Sequence, residues 1–126
     1  MSEIPLRPEE LLHFIELDEF RDDWDELGLD MEIDLWELQS EIMHDPTGAP
    51  VIQGTGGLRK MRFSPSRWNV GKSGAIRVCY VYFQPHWTVL LVMAYDKTRK
   101  DNLSASEKRN IARYISVVEQ WFRSKR

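Results

Sequence analysis

The 126-residue sequence predicts an α+β fold in which an antiparallel β-sheet packs against two N-terminal helices and one C-terminal helix. Two observations carry that expectation. Between Val51 and Lys97, three short runs rich in β-branched and aromatic residues are separated by Gly, Pro and Ser, the pattern of a strand meander. On either side of this stretch, apolar residues recur at helical spacing.

In chain order, residues 1–10 read as a mobile lead-in to a single domain spanning 11–126. The apolar run Leu11 to Leu17 fits either a first strand or the start of a helix, and periodicity does not decide between them. From Asp18, the residues Phe20, Trp24 and Leu27 follow helical spacing, and Gly28 supplies a stop. A second helix is expected from Asp30 as N-cap. It carries Leu35, Leu38 and Ile42 on one stripe, widened by Trp36 and Met43, and ends at Asp45-Pro46-Thr47-Gly48. The two helices should pair antiparallel, with acidic faces in water and apolar stripes on the sheet.

The first strand of the meander places Leu58, Lys60 and Arg62 on one face and Arg59, Met61 and Phe63 on the other. Arg77 opens the next strand, and a hairpin across Ser64 to Gly74 would bring it beside the Lys60–Arg62 pair. Cations without interleaved carboxylates suit a phosphodiester backbone. The same pattern also fits solvated side chains on the open face of a half-buried sheet. A third strand runs from Trp87 to Tyr95. After the charged link Thr98 to Asn102, Ser104 and Glu107 form a capping box for the last helix. Ile111, Tyr114, Ile115, Val118 and Phe122 make its apolar stripe with Trp121 beside them, so Tyr114 is expected in the core.

Composition narrows the function classes. An apolar fraction of 42% with five Trp, four Tyr and five Phe argues for a folded chain. No apolar run reaches membrane-spanning length, the start lacks the features of a signal peptide, and a cytoplasmic location is expected. The lone Cys79 reads as a buried, inert thiol. The net charge of −3 conceals a segregation: residues 1–46 hold 16 of the 20 acidic and 2 of the 17 basic side chains, a balance of −14 against +11 for the remainder. Such asymmetry allows a local polyanion-binding surface, and equally an attraction between the two halves of one fold.

Several motifs fail. Gly71-Lys72-Ser73 lacks the earlier glycine and the following helix of a P-loop, because position 66 is Ser66. Gly54-Thr55-Gly56-Gly57 lacks the third glycine of a dinucleotide fingerprint, because position 59 is Arg59. His13, His44 and His86 are scattered, and the acidic residues of the first half read as solvated helix positions, so neither a metal nor a cofactor is expected.

The segment Val51 to Lys60, the loop Gly71 to Val78, the double-tyrosine strand, and Tyr95-Asp96-Lys97 followed by Asp101-Asn102-Leu103 strongly resemble the HigB-type branch of the RelE/ParE toxin superfamily. The resemblance covers roughly residues 12 to 122 and implies a RelE-like fold whose first strand is Leu12 to Leu17. It implies the toxin of a type II toxin–antitoxin pair, a ribosome-dependent mRNA endoribonuclease that arrests translation without a metal. The implied partners are the ribosome, mRNA and a cognate antitoxin with a helix-turn-helix domain, with DNA reached only through that antitoxin. By position, Lys60, Arg62, Arg77, Lys97 and Tyr95 resemble the catalytic set, with Arg59, Lys72, Arg99 and Lys100 as RNA contacts. Two alternatives keep the fold: a ParE-like toxin that binds a protein such as DNA gyrase, and a decayed toxin fold acting with its antitoxin.

Overall fold

The computed structural model describes residues 11–68, 74–99 and 102–125; the expected lead-in, Lys72 and Lys100 lie outside them. In chain order its elements are β1 (His13–Glu16), α1 (Asp18–Glu26), α2 (Ile33–His44), β2 (Arg59–Phe63), β3 (Ile76–Phe83), β4 (Thr88–Tyr95) and α3 (Ala105–Ser124). This is the α+β arrangement the sequence predicts, two helices before the meander and one after it.

The sheet runs β1-β4-β3-β2. Strands β2, β3 and β4 form the expected antiparallel meander. The first strand joins β4 in parallel, His13 opposite Thr88 and Glu16 opposite Leu91, so the sheet is mixed at that edge. Parallel pairing needs a long crossover, and the whole chain between β1 and β4 supplies one. Strand β4 is buried along its entire length, which is why Thr88 to Tyr95 reads as a continuous apolar run instead of an alternation.

The layers on its two faces explain that burial. Phe20 and Trp24 from α1 and Leu35, Leu38 and Ile42 from α2 pack on Phe63, Ile76, Val78, Tyr80, Val89 and Leu91. Trp24 is fully buried, with its ring centroid 5.2 Å from that of Phe20 and 5.8 Å from that of Phe63, and its indole N–H donates to the Asp30 carbonyl at 2.7 Å. Truncating such a side chain to alanine costs about 3–5 kcal/mol. On the other face, Ile115 of α3 packs with Leu58, Cys79, Val81, Phe83 and Leu90, flanked by Ile111, Val118 and Phe122. Cys79 is buried there. Gly56 turns the chain into β2 at φ +78, a left-handed conformation that glycine adopts without strain, beside Ala112 of α3. No helix among the described residues is long and apolar enough to cross a membrane.

Three details depart from the expectations. Helix α2 starts at Ile33, not directly after Asp30. Asp30 still caps the turn: its carboxylate accepts from the backbone N–H groups of Glu32 and Asp34, each at 3.0 Å, and the Asp34 carboxylate accepts from Asp30 N–H at 3.0 Å. Asp34 is not a solvated helix position, because it is fully buried and ion-paired to Arg67 at 2.6 Å. Tyr114 is not in the core. It is 44% exposed, while α3 turns Ile111, Ile115 and Val118 inward, and Trp36 and Trp121 likewise face outward.

Candidate functional site

Register assembles the cationic set. Directly opposed residues of antiparallel strands share a face, with Cβ atoms about 4.5–5.5 Å apart. Arg62 of β2 lies opposite Arg77 of β3, and Arg77 lies opposite Tyr95 of β4, so the three form one row across the sheet. Lys60, two residues before Arg62 and opposite Cys79, sits on the same face beside that row. This is the face that α3 covers. The helix spends its apolar stripe on Leu58, Val81 and Phe83, and the row at the far ends of the strands keeps Arg62 exposed and Arg77 half-buried.

Two guanidinium groups opposed in this way repel one another, and a fold tolerates that when solvent or a bound anion screens them. Arg77 Nη1 donates to the Ala75 carbonyl at 2.8 Å, which fixes the side chain near the strand start. Among the described residues, no carboxylate is ion-paired with Arg62 or Arg77. Tyr95 is buried in the α3-side core, and the Arg99 guanidinium lies 5.4 Å from its ring centroid. Asp96 shapes the turn that follows by accepting from the N–H and hydroxyl of Thr98, bonds that hold its carboxyl below the ordinary value; Lys97 stands exposed on that turn.

The remaining expected contacts divide. Arg59 points to the opposite face, where Nη1 donates to the carbonyls of Thr47 at 2.9 Å and Ala49 at 2.6 Å, so it anchors the 47–49 loop and stands apart from the row. Arg99 shares a cavity of about 230 Å³ with Asp23, Glu26 and Asp96, an acidic setting for a proposed RNA contact. Lys72 and Lys100 lie outside the described residues.

A larger cavity of about 720 Å³ runs along the outer edge of β2. Lys60, Arg62 and Arg77 line one side, Met61, Phe63 and Tyr80 contribute apolar surface, and Glu41 and Asp45 from the end of α2 line the other side. Burial, with the charge of Glu37 beside it, raises the Glu41 carboxyl above its ordinary value. The Tyr80 hydroxyl donates to the Pro46 carbonyl at 2.9 Å, and burial pushes its phenol up as well. Sequence reasoning missed both carboxylates as cavity walls: Glu41 lies in the last turn of α2 and Asp45 follows it in non-helical backbone, and nothing in the chain announces that β2 lies beside them. Among the described residues, no three His, Cys, Asp or Glu side chains cluster as metal ligands.

No protein-family model matches the chain. Among solved structures it is similar to the isolated toxin RelE of E. coli, at 16% identity and a TM-score of 0.51, covering 86% of this chain and 97% of that one. A second E. coli RelE structure, a double arginine-to-alanine variant in the free state, is similar at 15% identity and a TM-score of 0.50, covering 83% of this chain and 97% of that one. The fold is therefore RelE-like.

Proposed function

We propose that this protein is the toxin of a type II toxin–antitoxin pair, of the HigB type, and that it cuts mRNA on the ribosome in the cytoplasm. The observation that carries the reading is the Arg62–Arg77 pair, opposed across two strands, with no carboxylate ion-paired to it among the described residues, at the side of a cavity open to solvent. A RelE-like fold around that pair supports it.

In this reading the substrate's own 2′-oxygen attacks the adjacent phosphorus. The 2′-O–P bond forms, the P–O5′ bond breaks, the 2′-hydroxyl proton passes to a base, and the departing 5′-oxygen takes up a proton. The products are a 2′,3′-cyclic phosphate and a 5′-hydroxyl. Arg62 and Arg77 hold the charge that builds on the pentacovalent phosphorus, because guanidinium forks match phosphate oxygens. Lys60 contacts the phosphate or assists the base, Lys97 extends the cationic side, and Tyr95 closes the row at its β4 end. Residues 11–126 act as one toxin domain, held in check by a cognate antitoxin bearing a helix-turn-helix domain.

The test is expression of the wild type and Arg77→Ala in growing cells, with mRNA 5′ ends mapped and circular dichroism confirming the fold. Loss of one preorganised charge donor lowers cleavage about a hundred- to a thousand-fold. Undiminished cleavage removes Arg77 from the site, whereas growth arrest without new mRNA ends supports the protein-binding, ParE-like alternative.

A further inference from the structure

The two halves that the charge balance separates each present an apolar helix face to solvent. On α2, Ile33 is 71% exposed and Trp36 59%, one turn apart. With Glu32, this helix carries four acidic side chains and no Lys or Arg; Asp34 is buried against Arg67 and half-buried Glu37 accepts from Ser66, so Glu32 and Glu41 are the exposed acids of the rim. On α3, Tyr114, Val117 and Trp121 follow i, i+3, i+7 spacing along one flank of the core stripe, with Val117 57% and Trp121 51% exposed and the Trp121 ring edge-on to Phe122. Residues 105–125 carry five basic and two acidic side chains, and one of the acids, Glu107, is turned back onto the helix cap. Lys125 extends over the Trp121 ring, with Nζ 4.6 Å from its centroid.

Exposed large apolar residues in a row, rimmed by charge of one sign, mark an association surface. Here the matching surface is on the same molecule: an indole among carboxylates on α2 and an indole among cations on α3. We infer that the α3 face of one copy docks on the α2 face of a second copy, through Trp121 and Tyr114 against Trp36 and Ile33, with the acidic rim of one meeting the basic rim of the other. Because the two faces differ, the contact is heterologous. Each copy keeps one face of each kind free, so assembly proceeds head to tail and not to a closed two-fold dimer. Helix α3 is about 30 Å long and α2 about 18 Å. A contact confined to them stays below about 600 Å² per partner, the size of weak and reversible association. The inference is independent of the ribonuclease reading, since neither face contains Lys60, Arg62 or Arg77.

Sedimentation velocity on the full chain, from micromolar to millimolar concentration, tests it with two single variants, Trp36→Arg and Trp121→Glu. Both positions are exposed, so the fold should survive, and circular dichroism checks that it does. The wild type should form a ladder of species that grows with concentration and shrinks with added salt. Each variant alone should be monomeric, its association weakened at least about thirty-fold, the loss expected of an aromatic anchor. An equimolar mixture of the two should recover a single species, the heterodimer, because one intact α3 face meets one intact α2 face. A wild type that stays monomeric at millimolar concentration overturns the proposal. So does a ladder unaffected by either change. Loss of assembly with Trp121→Glu but not with Trp36→Arg would mean a symmetric α3–α3 dimer instead, and would overturn it equally.

Discussion

Asp34 shows how far one side chain can depart from its apparent place. At helical spacing among Asp30, Glu32 and Glu37 it looks solvated, yet it is fully buried and joins three segments. Its carboxylate accepts from Arg67 Nε at 3.0 Å and Nη2 at 2.6 Å and from the Asp30 backbone, while Arg67 also donates to the Gly28 carbonyl at 3.0 Å. Arg67 lies 33 residues away, and no local pattern could pair the two. The Arg67 hydrogen bond is the main reason the Asp34 carboxyl sits below its ordinary value of 3.8, against burial, which acts in the opposite direction. A folded value below the unfolded one means that the unfolded chain binds the proton more readily. The stabilisation is therefore complete above about pH 3.8 and is lost as pH falls through the depressed folded value. Asp34→Asn should cost about 1–3 kcal/mol near neutral pH, read as a lower urea midpoint, because it leaves half-exposed Arg67 without its anion. The gap from wild type should narrow in acid. A gap that stayed constant into strong acid would show that charge is not what Asp34 contributes.

Elements were legible where their own residues decide them. The three meander strands follow from β-branched runs between breakers, and the start of α3 follows from four residues, since Ser104 Oγ accepts from Glu107 N–H at 3.1 Å and the Glu107 carboxylate accepts from Ser104 N–H at 2.7 Å. Ser104→Ala should lower stability by about 1 kcal/mol through the loss of that cap, while Ser104→Asp should retain most of it; thermal melts of the two variants decide. Equal melting of wild type and Ser104→Ala would make the box ornamental. What was not legible depends on neighbours distant in the chain. The parallel pairing of β1 with β4 joins residues 75 apart, from His13 to Thr88, and Leu11 to Leu17 could be read as strand only through family resemblance. Tyr114 and Trp121 look like core because aromatic residues widen the apolar stripe of α3, but the sheet is narrow enough that Ile111, Ile115, Val118 and Phe122 cover it alone. The Arg62–Arg77–Tyr95 row lay between these cases. Alternation gave the face of Lys60 and Arg62, and a hairpin made Arg77 a neighbour, but the register that opposes it to Arg62 depends on how a long loop closes.

Across the whole molecule, a balance of −14 over residues 1–46 and +11 over the rest sets the terms on which any polyanion is met. A protein with that distribution is a poor general coat for nucleic acid, and contact must be made through few phosphates. Salt dependence counts them. For single strands, log affinity falls against log salt with a slope of about −0.7 per neutralised phosphate. Lys60, Arg62 and Arg77 acting together on single-stranded RNA should therefore give a slope near −2. Fluorescence anisotropy with a labelled oligoribonucleotide at several KCl concentrations measures it directly. Arg62→Ala and Arg77→Ala should each make the slope shallower by roughly 0.7, whereas Arg59→Ala should leave it unchanged, because that guanidinium is engaged by the Thr47 and Ala49 carbonyls on the opposite face. A slope that responded to Arg59 and not to Arg77 would move the RNA to the wrong side of the sheet and dismantle the site.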